Sequence, residues 1–303
     1  MAIVFIEYNN MPVSKRKYLI QSLFEKIIIR LAGNATVVIL ALIIAFLFFG
    51  AVPFAFEYNL FSFFTGIDWY PLSNKFGSLP LIYGSFFVTI FSTLIAIPLS
   101  IAVSLFISEI ANPKLRTFLK VILEILASIP SVVFGFLGII LVGPAMETIF
   151  HIQTGLNVFT ASLLLAFMSI PTIASVSEES LQAVPRNLRE GSLALGATKL
   201  QTMIFVTLPS AQAGIVAGIM LGVGRAIGET MTVMMVAGGS AQISLSIFAP
   251  IRTITGTIAT EMGEVIQGDT HYHSLFMLGL VLFLVTLTIN SISSIIIKKI
   301  KKG

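Results

Sequence analysis

From Phe76 to Ser108 the chain carries no charged residue, and four further stretches share that property: Leu31 to Phe56, Ile125 to Met146, Ile152 to Ser177 and Ser274 to Ile297. A sixth, Pro209 to Gly238, is interrupted only by Arg225 and Glu229. Backbone inside hydrocarbon must pair its own N–H and C=O groups, so runs of this kind are helices, each long enough to cross a core of about 30 Å. Only 11% of the 303 residues are charged, against about 25% in soluble domains, which excludes the water-soluble class. With no cysteine, disulfide frameworks and thiolate-held metals are excluded too. The reading is an all-α membrane protein of six transmembrane helices.

The basic residues orient it. Fifteen of the 18 fall on one side if the N-terminus is cytoplasmic, with only Lys75 and Arg252 outside and Arg225 within a span. The net charge of +4 is thus a topology signal and not a nucleic-acid footprint. Both termini are expected in the cytoplasm of a prokaryote, the chain lying in its cytoplasmic membrane. Residues 1–35 form a cytoplasmic N-terminal segment. In it Leu19, Ile20, Leu23, Phe24, Ile27, Ile28 and Leu31 recur at helical spacing around Lys26 and Arg30. That pattern suits an amphipathic helix on the inner membrane face; a plain continuation of the first span is the other reading. Residues 36–303 form the membrane domain, with a core of about 80–297 and a long cytoplasmic loop at 177–208.

That loop has helix signals of its own. Asn187 with Glu190 makes a capping-box start, and Gly196 suits a left-handed stop. Thr198 with Gln201 repeats the start signal before Pro209 opens the next span. The first short helix carries the small residues Gly191, Ser192 and Ala194, which leave its backbone approachable by a partner's groove. The blander reading is a loop that merely connects two spans. The run Glu190-Gly191-Ser192-Leu-Ala194-Leu-Gly196, with Leu208-Pro209 after it, resembles the coupling loop of ABC importer permeases. The resemblance implies the type I permease fold, in which this helix docks on a cytoplasmic ATPase. Gly191-Ser192 stands where that family has two alanines, a change that keeps the side chains small.

The charged pair inside the sixth stretch is the candidate substrate path. Gly214, Gly218, Gly222 and Ala226 step by four and make a small-residue ridge. If the helix runs on, Arg225 and Glu229 lie about 20° and 60° around from Gly214, and Thr232 near 0°, all on that ridge's side. A membrane-embedded charge costs at least about 2.5–3.5 kcal/mol, so the pair marks a functional site by default. A packing ion bridge is the structural alternative. Arginine is a planar, permanently charged fork suited to oxyanions. Glu229 balances it when the site is empty, and would accept a hydrogen bond from a protonated oxyanion while repelling sulfate. Ser128-Ile-Pro130-Ser131 and Ser169-Ile-Pro171-Thr172 add prolines within spans. An ordinary proline kink is expected at both, with a break that exposes N–H groups beside Ser128 and Ser131 as the alternative.

Gly224-Arg-Ala-Ile-Gly-Glu-Thr-Met, Glu124-Ile-Leu-Ala-Ser-Ile-Pro-Ser-Val-Val-Phe-Gly135 and Thr255-Gly-Thr-Ile-Ala-Thr-Glu261-Met-Gly-Glu264 are similar to segments of the phosphate-importer permeases, over about residues 60–297. Met231-Thr-Val-Met favours one of the two paralogous permeases of such importers. The resemblance implies a paralogous permease partner, a dimer of cytoplasmic ATPases and an extracytoplasmic phosphate-binding protein. No Gly-Lys dipeptide occurs, so no nucleotide loop of the Gly-Lys-Ser/Thr kind is present. Any ATP is therefore used by another chain, and no cofactor is expected in this one. His151, His271 and His273 lie in outside loops without a fixed third ligand, so no metal is expected. A permease for molybdate or sulfate, a passive anion channel and a membrane enzyme are the rival readings. The enzyme lacks any nucleophile–base set, and the channel would not need a docking helix.

Overall fold

The computed structural model of the chain describes residues 13–300. Contacts divide the chain at Gly50/Ala51 into two units. Helix α1, Val13–Glu57, runs unbroken through the stretch read as interfacial and through the first span. Side chains before Ile28 lie outside the described residues, so the amphipathic pattern at 19–27 is not seen in side-chain terms. From Ile28 to Gly50 nearly every described side chain is exposed and apolar, a surface that only lipid or another apolar partner satisfies.

The second unit takes in the end of α1, then a short helix α2, Leu60–Thr65, and a two-strand hairpin of β1, Trp69–Tyr70, and β2, Lys75–Phe76. Asn74, left-handed at φ 55°, turns the hairpin. Phe54, Phe63 and Phe76 stack edge to face beneath it and are fully buried. The long helices follow: α3, Leu79–Ile110; α4, Pro113–Ser128; α5, Ser131–Phe150; and α6, Val158–Gln182. After α7, Arg186–Ala194, come α8, Lys199–Ser210, and α9, Gln212–Gly228, which meet at 70°. The chain closes with α10, Met231–Val236, α11, Ile254–Glu261, and α12, Thr270–Ile300. Among the described residues there are five helices long and apolar enough to span, or six if the bent α8–α9 pair is one span.

Helix α6 is the centre, its apolar window 67% buried where the other candidate spans reach at most 28%. It is reached by small residues. On α3, Ser85, Thr89, Ser92, Ala96, Ser100 and Ser104 are all buried, with hydroxyls turned back on their own helix, as in Ser85 to Leu81 O and Ser100 to Ala96 O. Ser162 of α6 also donates to Val88 O of α3 across the interface, at 3.3 Å. On α9, Gly214 and Gly222 lie so close to Ser180 and Ile173 of α6 that an added Cβ would strike them, and Gly218 between them leaves only a tight fit against Ile173, Val176 and Ser177. Without a hydrophobic drive between helices in lipid, this close approach supplies the packing.

Two spans differ from the sequence expectation. At Pro130 the chain does not kink but breaks: Ile129 and Pro130 are extended, at ψ 126° and 140°, and α5 starts at Ser131. Proline offers no N–H and pushes its predecessor out of the helical region. Pro171, by contrast, is accommodated within a continuous α6. The second difference is in the charged span, where α9 ends at Gly228 and Glu229 is extended at φ −69°, ψ 127°. Beyond it the chain turns into α10, so residues 209–238 are not one helix.

Gly222→Val is expected to cost about 1–3 kcal/mol by overpacking against Ile173. Gly224→Ala, where an added Cβ meets nothing within 4 Å, should cost nothing. Thermal unfolding of the purified protein in detergent compares the two.

Candidate functional site

The two breaks lie against each other. Thr232, at the start of α10 and fully buried, donates its hydroxyl to the carbonyl of Ser131 at 2.8 Å, on the first residue after the other break. The Glu229 carboxylate accepts from the N–H of Thr232 at 3.2 Å and so caps α10, a favourable place for a negative charge. The Glu229 carbonyl, freed by the end of α9, accepts from Thr255 at 2.9 Å. Each interruption is thus held by a side chain from another element.

This geometry corrects the helical projection of the site. Arg225 and Glu229 do not form an ion pair among the described residues, because the break at Glu229 turns its carboxylate toward α10. Arg225 instead donates to the Thr172 hydroxyl at 3.0 Å, on α6 immediately after Pro171. It lines a crevice of about 280 Å³ with Met220, Leu221, Gly224, Thr286 and Asn290. Thr232 is not on a free ridge, since its hydroxyl is spent on Ser131. Ser128 is exposed with its hydroxyl turned back to Ile125 O at 2.7 Å, and Ser131 is half-buried. The structure brings Ser131, Thr232 and Glu229 together and leaves Arg225 on its own partner.

The long loop folds as two short helices. Helix α7 starts at Arg186 after Pro185, so Asn187 lies inside its first turn and does not cap it. Its end is a Schellman stop: Gly196 is left-handed at φ 87°, its N–H reaches Leu193 O, and Ala197 N–H reaches Ser192 O. Thr198 and Gln201 form the expected capping box at the start of α8. No residue of α7 is buried; Glu190, Gly191, Ala194 and Gly196 are exposed, and Leu195 is 90% exposed. Ser192 is half-buried, its hydroxyl 2.9 Å from that of Thr202, tying α7 to α8.

Polar fasteners that sequence reasoning missed join this loop to the bundle. Arg189 of α7 pairs with Glu109 at the end of α3 at 3.0 Å and donates to Leu181 O at 2.6 Å. Glu178 of α6, 1% exposed, is neutralised by Lys120 of α4 at 2.7 Å and also accepts from Gln182. A buried carboxylate without such partners would be strongly destabilising. Arg116 donates to the carbonyls of Ile107 and Ser108, which a π-helical turn at Phe106–Ile110 leaves open. At the opposite end, Glu261 of α11 accepts from Arg252 at 2.6 Å and from Trp69, and lies 2.8 Å from His271. His271 is thereby engaged with a carboxylate, a partner that nothing local in its sequence neighbourhood indicates.

Spans interrupted beside an arginine, with an exposed helix presented by the loop between α6 and α8, define a helical membrane transport subunit. Residues 100–302 match the family described as "Binding-protein-dependent transport system inner membrane component", and the chain belongs to that family. It is 36% identical over 259 residues, 79% of each chain, to the "Phosphate transport system permease protein PstC" of Mesorhizobium japonicum. It is 39% identical over 238 residues, 77% of each, to the "Probable ABC transporter permease protein YqgH" of Bacillus subtilis. A "Probable phosphate transport system permease protein PstC" of Methanocaldococcus jannaschii is 31% identical over 95% of this chain and 98% of its own. Among solved structures, a bacterial alginate ABC transporter with its periplasmic protein matches with a TM-score of 0.62 at 15% identity, over 95% of this chain and 97% of that one. The MetNI methionine transporter matches at 0.55 and 23%, over 74% and 94%. These two likenesses are of fold. The chain is a membrane component of a binding-protein-dependent ABC transport system.

Thr232→Val removes the hydroxyl bond that ties α10 to the start of α5 and is expected to destabilise the protein by about 0.5–1.5 kcal/mol, whereas Thr232→Ser keeps the bond and most of the stability. Thermal unfolding of both variants in detergent checks this.

Proposed function

We propose that the chain is a permease subunit of an ATP-driven importer that moves inorganic phosphate across the cytoplasmic membrane of a prokaryote. The observation that carries the site is Arg225. It stands in an apolar helix with a neutral hydroxyl as its hydrogen-bond partner and no carboxylate opposing it among the described ion pairs. A permanent, planar cation so placed attracts an anion, and its fork suits an oxyanion. The names of the relatives support phosphate as that anion. Glu229 spends one carboxylate oxygen on Thr232; its other oxygen is the acceptor for a protonated oxyanion, which phosphate is near neutral pH and sulfate is not. Thr232, Ser131 and Ser128 shape the break beside this path.

The distribution of basic residues supports a cytoplasmic position for both termini and the α7 loop. There, Glu190, Gly191, Ser192, Ala194 and Gly196 form the face that docks on a separate ATPase, which supplies the ATP hydrolysis. A paralogous permease completes the path, a dimer of ATPases drives it, and an extracytoplasmic binding protein delivers phosphate. Motion of α7 reaches the spans through Arg189–Glu109 and through the Ser192–Thr202 contact. The path alternates between faces by rigid-body movement around the broken helices.

The test is labelled-phosphate uptake by proteoliposomes holding the whole complex, with ATP inside and sulfate and molybdate as competitors. ATP-dependent uptake blocked only by excess phosphate is expected. Flux without ATP indicates a channel, and competition by sulfate or molybdate indicates a different cargo. Arg225→Ala should abolish uptake while the complex still assembles; normal uptake removes Arg225 from the mechanism.

Gly196→Trp and Glu190→Lys should release the ATPase from the membrane, because one strains the left-handed stop and the other reverses a charge on the docking face. Co-purification of the ATPase in normal yield would show that α7 is not the docking helix.

A further inference from the structure

We propose that Arg252, at the end of the bundle opposite α7, is the first residue of this chain to take the substrate oxyanion, with Glu261 as its resting counter-ion. The proposal rests on the importer reading above and adds to it a receiving site. Arg252 lines an open vestibule of about 490 Å³ with Trp69, Tyr70, Ser73, Ser240 and Glu261. It also lines a small inner cavity with Met234, Thr253, Gly256 and Thr260. It therefore stands where the open space narrows toward α10, the helix that begins at the Glu229 break.

The charge around it is unusual for an anion carrier. The segments at this end hold Glu57, Asp68, Glu147, Glu261, Glu264 and Asp269, against Lys75 and Arg252 alone. Lys75 is paired with Asp68 at 3.1 Å, both about half exposed. These segments are thus net acidic and oppose free anions, while Arg252 is the one cation lining the vestibule among the described residues. An anion handed over directly by a docked binding protein reaches that cation; an anion diffusing from bulk is opposed.

The hydrogen bonding fits an exchange of partners. Of the five N–H donors of a guanidinium, Arg252 commits one among the described residues, to Glu261. Glu261 is held as well by the Trp69 N–H, 3.1 Å from Oε2, and by His271 at 2.8 Å. When an oxyanion takes the Arg252 fork, Glu261 keeps these two partners and is not left as a bare, half-buried carboxylate. A plain structural lock between Arg252 and Glu261 would not need them. The site selects by charge and by planar, bidentate geometry, so its ligand class is a small tetrahedral oxyanion.

The experiment uses the complete complex with its binding protein in proteoliposomes, and measures labelled-phosphate uptake together with ATP hydrolysis for wild type, Arg252→Gln, Arg252→Lys and Glu261→Gln. Loss of a charge-assisted contact to the anion predicts that Arg252→Gln lowers uptake about tenfold or more and raises the ATP used per phosphate by a similar factor. Arg252→Lys should recover part of both. Glu261→Gln keeps the cation and should cost at most about threefold in uptake, the range of a weakened positioning bond. Full uptake by Arg252→Gln overturns the proposal. So does an equal loss in Arg252→Gln and Glu261→Gln with an unchanged ATP-to-phosphate ratio, which is how a structural lock behaves. Wild-type uptake in the same vesicles tests the importer reading separately: its absence sinks both, whereas the variant outcomes above sink only this one.

Discussion

No backbone polar group can be left unpaired in hydrocarbon, and this chain interrupts two of its apolar stretches, at Pro130 and at Glu229. The structure meets that constraint by putting the breaks together. The Ser131 carbonyl is taken by Thr232, the Glu229 carbonyl by Thr255, and the Thr232 N–H by the Glu229 carboxylate. The Thr255 hydroxyl and the Glu229 carboxylate thus satisfy groups that the end of α9 and the start of α10 leave open, and the Thr232 hydroxyl ties that break to the first residue of α5. The character of the site depends on these bonds: two interruptions of the backbone held against each other, helix ends brought to one place, and an arginine one turn away.

The same bonds separate the two charges that look like a pair on paper. A helical projection assumes that 3.6 residues per turn continue through Glu229. Once α9 stops at Gly228, Glu229 belongs to the next helix as its cap, and Arg225 turns to Thr172. The outcome is a cation without a carboxylate, which is a better anion attractor than a closed ion pair. The smallness of Gly214, Gly218 and Gly222 is what allows α9 to lie close enough to α6 for that hydroxyl to be in reach.

The spans, the two short helices of the loop, the Gly196 stop and the Thr198 box were legible in the sequence because each rests on local chemistry: apolar length, a left-handed glycine, an N-cap side chain. The fastening pairs were not. Arg189 with Glu109, Lys120 with Glu178, and Glu261 with Arg252, Trp69 and His271 join residues from distant elements, and only the helix packing decides which charges meet. Pro130 and Pro171 look alike in sequence, each in a Ser-Ile-Pro run. Yet one breaks the chain and the other is absorbed, because α6 is clamped on several sides by α3, α4 and α9 while α4 and α5 are exposed along much of their length.

Among the described residues, three π-helical turns, at Phe106–Ile110, Gly138–Val142 and Met203–Thr207, each hold one residue more than the α-helical repeat accommodates. Such a bulge can migrate along its helix by exchanging one hydrogen bond at a time, and each residue passed rotates the neighbouring stretch by about 100°. Two of the three flank the groove formed by Glu109, Ile110, Arg189, Leu193, Leu200 and Met203. The helices that meet α7 therefore carry rotational slack beside it, so a displacement of α7 can be converted into a twist of α3 or α8 without melting either.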